Sequence, residues 1–185
     1  MRIIGKHIFK NMVTVITVTM FFSCRSNFKE VQKIGAQGAG PLTVAENINT
    51  KYTDSGRLKS HLISTKMNDY SNREFAYFEF PDDINFTVYD NDGNASNVKA
   101  DYAIIYSETD LIDLQGNVVL TTHKRDTLFA DQLFYDQMKE WMFTNQAVKF
   151  RTKDQLIEGI GFDSDKTFTN AEVLEPTGII YLNEN

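Results

Sequence analysis

Cysteine occurs once in this 185-residue chain, at Cys24, so no internal disulfide can form. Histidine occurs three times, as His7, His61 and His123, in unrelated contexts and never four residues apart. With no cysteine cluster and no calcium-loop spacing, no metal site is expected. No glycine-rich loop links a strand to a helix, so no nucleotide cofactor is expected either. Basic residues are scarce: the chain carries −6, with 19 Lys and Arg against 25 Asp and Glu. Arg2, Lys6 and Lys10 fall in the first 23 residues, which hold no acid, leaving 16 basic and 25 acidic groups and −9 for the rest. An acidic body without a basic stripe is not a nucleic-acid binder.

The one long apolar run lies at the start. Met12 to Phe22 is interrupted only by Thr14, Thr17 and Thr19, follows the three basic residues, and leads into Ser23-Cys24. This is the layout of a signal peptide over residues 1–23. Phe21-Phe22-Ser23-Cys24 resembles a lipobox, which would make Cys24 a lipid anchor and residues 24–41, with Gly35, Gly38, Gly40 and Pro41, a flexible tether. The rival is an uncleaved membrane anchor. It is disfavoured because a span needs about 20 residues, and extending upstream would bury Lys10 and Lys6.

From Leu42 onward the pattern is that of short strands. Asp54-Ser55-Gly56 marks a turn between Glu46–Thr53 and Arg57–Lys66. Ile84, Phe86 and Val88 alternate with Asn85, Thr87 and Tyr89, and Asp92-Gly93 turns the chain into Val98–Tyr106. Loops are expected at 107–110, 123–126, 137–140, 153–154 and 163–166, and Ile179, Ile180, Tyr181 and Leu182 form a last strand at an edge.

Residues 100–150 carry a repeat. Ala100-Asp101 recurs as Ala130-Asp131, and at the same offset Val98, Ile104, Ile112, Val118 and Leu120 meet Leu128, Phe134, Met142, Val148 and Phe150. All are even-numbered, which predicts one face of stacked hairpins. A third, degraded copy has Gly159 and Gly161 near the Ala-Asp positions, where a bulge would let the sheet curl. The fold expected is an all-β, open antiparallel jelly roll. Its apolar face comprises Ile84, Phe86, Val88, Ile104, Ile112, Leu114, Val118, Leu120, Leu128, Phe134, Met142, Val148 and Phe150. Asp101 and Asp131 recur beside alanine on the outward side, a structural rather than catalytic placement, and nothing else has the pattern of an enzyme.

Phe80-Pro81-Asp82-Asp83-Ile84, Phe86-Thr87-Val88-Tyr89-Asp90, Ala100-Asp101-Tyr102-Ala103, Gly116-Asn117-Val118-Val119, Phe168-Thr169-Asn170 and Pro176-Thr177-Gly178, in that order, resemble the LptC family of lipopolysaccharide-export proteins. Asp54-Ser55-Gly56-Arg57-Leu58-Lys59 fits the family's first hairpin. The resemblance spans residues 43–182 and extends to the wider OstA-like superfamily. It implies a periplasmic, membrane-anchored domain, here over residues 42–185, with the inner membrane favoured. It implies that the apolar face binds lipopolysaccharide, and that the sheet edge at Ile179–Leu182 docks partners. Those partners would be the periplasmic β-domains of an ATP-driven transporter and a periplasmic bridge protein. Well-known members keep a transmembrane helix where this chain has the lipobox-like start. A glycan-binding or adhesion module on a β-sandwich is the alternative, with Tyr77, Tyr89 and Trp141 as outward aromatics.

Overall fold

The computed structural model describes residues 40–177 and the backbone of 181–182. The expected signal peptide, Cys24, nearly all of the tether, and Ile179 and Ile180 lie outside the described residues. Among those described, regular structure is entirely strand. In order these are β1 (Thr43–Asp54), β2 (Arg57–Asp69), β3 (Tyr77–Phe80), β4 (Ile84–Tyr89), β5 (Ala95–Ala100), β6 (Tyr102–Tyr106), β7 (Leu111–Thr121), β8 (Thr127–Asp136), β9 (Trp141–Arg151), β10 (Gln155–Asp165), β11 (Glu172–Pro176) and β12 (Tyr181–Leu182).

All twelve join one antiparallel sheet. β3 and β4 lie end to end along β2, β5 and β6 end to end along β7, and β11 and β12 end to end along β10. Each resulting ribbon therefore pairs with the next in the chain. Turn chemistry supports this. Ser55 and Gly56 both have positive φ (51° and 76°), as a two-residue hairpin turn requires. The Asp90 carboxylate accepts from the amides of Asp92 and Asn94, closing the β4–β5 turn. One expected loop is shifted: β10 runs on to Asp165, so the turn begins at Lys166 rather than at Asp163.

The ribbons bend at mid-length. β3 gives way to β4 at 81–83 and β5 to β6 at Asp101. β7 bulges at Gly116 and Asn117, both at positive φ, and its register with β8 shifts between Gln115 and Val118. β8 shifts against β9 between Ala130 and Phe134, and β10 against β9 between Ile160 and Phe162, where the two glycines pointed. The bends fold the sheet over itself as a jelly roll, with Phe80, Leu128, Leu133 and Phe162 fully enclosed.

The bend also corrects the even-number rule. Along β8 the buried apolar residues are Leu128 and Ala130, then Leu133; along β5–β6 they are Ala100, then Ala103. The chain changes face at each Ala-Asp step, so Ile104 and Phe134 lie on the outer surface of the sheet. Phe134 pairs there with Phe143, ring centroids 5.3 Å apart.

Candidate functional site

Between the two folded limbs lies a cavity of about 530 Å³. Its wall is built from alternating strand positions: Leu62 of β2; Ile84, Phe86 and Val88 of β4; Val98 of β5; Ile105 of β6; Ile112, Leu114 and Leu120 of β7; Leu133 and Tyr135 of β8; and Met142 of β9. Val88 is 46% exposed, so the apolar lining reaches solvent on the β4 side. Polar residues rim it from both ends of the ribbons. Lys59, Asn91, Asn94 and His123 stand on one side, and Gln137, Lys166 and Thr167 on the other.

The rim is braced. Lys59 Nζ donates to Asn91 Oδ1 at 2.9 Å, and Lys166 pairs with Glu140. The Asn94 side-chain amide, with the backbone amides of Asn94 and Asp92, holds the Asp90 carboxyl below the usual carboxylate range. Burial pushes the Tyr135 hydroxyl up, with Glu140 and Asp136 adding to the shift, so the phenol stays neutral at the wall. The lining thus offers mostly apolar surface, with Ser96, Asn97, Thr122 and the Tyr135 phenol among it and the charged groups at the lip.

Seven residues expected on the apolar face line this cavity: Ile84, Phe86, Val88, Ile112, Leu114, Leu120 and Met142. Val118, Leu128, Val148 and Phe150 face inward too, but are buried in packed core away from it. Ile104 and Phe134, on the outer surface, do not contribute. Sequence reasoning missed Ile105, Leu133 and Tyr135, odd-numbered residues that follow a bend, and Phe168, which enters from the β10–β11 loop. Tyr89, expected outside, lies at the cavity rim.

The recurrent acids are structural or solvated. The Asp101 carboxylate accepts from Asn117 Nδ2 at 2.7 Å across the β7 bulge, and Asp131 is exposed. At the sheet margins, β1 pairs only with β2, and β11 and β12 only with β10, among the described residues. In β12, Tyr181 pairs with Leu156 and Leu182 with Gln155.

A family model described as lipopolysaccharide-assembly, LptC-related, matches residues 12–181. No curated protein matches the chain.

Proposed function

The chain belongs to the LptC family of lipopolysaccharide-assembly proteins, and from that membership we propose that its cavity shields the acyl chains of lipopolysaccharide during export. Burying one methylene is worth about 0.8 kcal/mol, so a long acyl chain left in water costs on the order of 10 kcal/mol. A glycolipid with several such chains needs an apolar lining to cross an aqueous space. The supporting observation is the cavity itself: a mostly apolar wall, charged and hydrogen-bonding groups at the lip, and Val88 open to solvent.

The finer parts of the reading concern partners and anchorage. An unpaired strand edge binds another strand by extending the sheet. The margins at β1 and at β11–β12 are suited to the transporter's β-domains and to a bridge protein. Lipidation at Cys24 would tether the domain to the inner membrane. Energy comes from the transporter, and this chain acts as a carrier.

The test is position-specific photo-crosslinking of the full chain in cells that make lipopolysaccharide. A crosslinker at Phe86 or Ile112 captures the glycolipid, and one at Ile104 or Phe134 does not. Equal capture on both faces would overturn the assignment. Unchanged mass and membrane retention of the mature protein after Cys24→Ala would remove the lipid anchor.

A further inference from the structure

We propose that Phe168 is the stop that sets how far an acyl chain can run into the fold, and so the chain length this protein prefers. The proposal rests on the acyl-chain reading above. One side of Phe168 lines the cavity. Its ring also packs against Phe150 at 5.8 Å and Phe162 at 5.9 Å between centroids, and those two rings lie 5.5 Å apart. Phe150 and Phe162 are 5% and 0% exposed. Phe168 therefore stands where open cavity gives way to packed core.

The residue is held there against its own preference. Its φ is +59°, a conformation that costs a bulky side chain energy unless its surroundings enforce it. The enforcement comes from Asp165. Its carboxylate accepts from the Thr167 amide at 2.9 Å, the Thr167 hydroxyl at 2.8 Å and the Thr169 amide at 3.0 Å. It also accepts from the backbone and side-chain amides of Asn170 at 3.2 and 2.7 Å. A core void could be filled from a strand. Here a loop residue is pinned at the boundary of the space instead.

Cavity size makes the position matter. A methylene occupies about as much room as a water, roughly 30 Å³, so about 530 Å³ holds roughly 18 heavy atoms, one long acyl chain. The space matches about one long acyl chain, and Phe168 at its boundary with the packed core limits how far that chain runs in.

The experiment titrates the full-length chain, in a non-ionic detergent, with saturated fatty acids of about ten to about twenty-four carbons, counting bound chains by intact-complex mass spectrometry. Below the stop, each added methylene strengthens binding about fourfold. In the wild type this gain ends near about eighteen carbons. Phe168→Ala removes six ring atoms and moves the plateau up by about four to six carbons; Phe168→Trp moves it down. Plateaus that coincide in all three proteins overturn the stop while leaving the acyl-chain reading intact. If the alanine variant fails to fold, an unmoved plateau in the tryptophan variant alone overturns it. A wild type that binds no fatty acid of any length defeats both.

Discussion

The Asp101 carboxylate occupies the space that a side chain at Gly116 would need. A Cβ on Gly116 would stand 2.9 Å from Asp101 Oδ2 and 3.0 Å from Asp101 Cβ. The Asp101 amide donates to the Gly116 carbonyl at 2.9 Å, and Asn117 Nδ2 returns a bond to the carboxylate. Two strands are latched where both bend. With Gly116 at φ +75°, Gly116→Ala meets backbone strain as well as contact. It is expected to cost about 1–2 kcal/mol, measured by urea unfolding. Asp101→Ala should relieve the carboxylate part of the contact but neither the Cβ contact nor the strain, so the double variant is somewhat less destabilised than the two singles sum to.

Asp113 is 6% exposed and accepts from Gln115 Nε2 at 2.7 Å and Gln132 Nε2 at 2.8 Å. Asp113→Ala strands two amide donors on the outer face and is expected to destabilise by about 1–3 kcal/mol. Asp113→Asn keeps one acceptor and should lose less. Equal unfolding midpoints for the two variants would refute this role.

Gly159 faces the edge ribbon. A Cβ there would sit 2.5 Å from the Glu175 carbonyl oxygen, which cannot swing aside as a side-chain tip can. Gly159→Ala is expected to lift β11 off β10. Amide exchange over residues 172–175 should then quicken, while β2 and β4 stay protected.

The Phe168 loop carries a pH dependence. Burial alone would raise the Asp165 carboxyl, but the hydrogen bonds from Thr167, Thr169 and Asn170 outweigh it and hold the group below its usual range. A carboxyl depressed in the folded state gives up its proton more readily there than in the unfolded chain. Its stabilisation is therefore complete above the ordinary carboxylate value of about 4. It is lost as pH falls through the lowered value. Phe168 ring signals in NMR should shift in that acid window, and Asp165→Asn should abolish the transition.

Much of this architecture can be read along the chain. The Asp54-Ser55-Gly56 turn, the Ile84–Tyr89 strand and the repeat of Ala100-Asp101 as Ala130-Asp131 all mark real features. The misplacement of Ile104 and Phe134 has a simple origin. Strict alternation runs straight through the Ala-Asp step in the sequence, whereas the bend there exchanges the two faces. Gly159 and Gly161 hinted at that bend in the third copy; alanine and aspartate, permissive of many conformations, did not in the first two. The division of the inward face into open cavity and packed core was illegible. It depends on Phe168 reaching a ring in another strand, a contact no periodicity encodes.

Because every ribbon's partner is its successor in the chain, few long loops have to be closed for the domain to form. Folding can advance like a zip, each new hairpin laid on the one before, with the entropy of search kept small at every step. A polypeptide delivered amino end first could take shape as it arrives, and the final ribbon would be both the last to settle and the first to peel away.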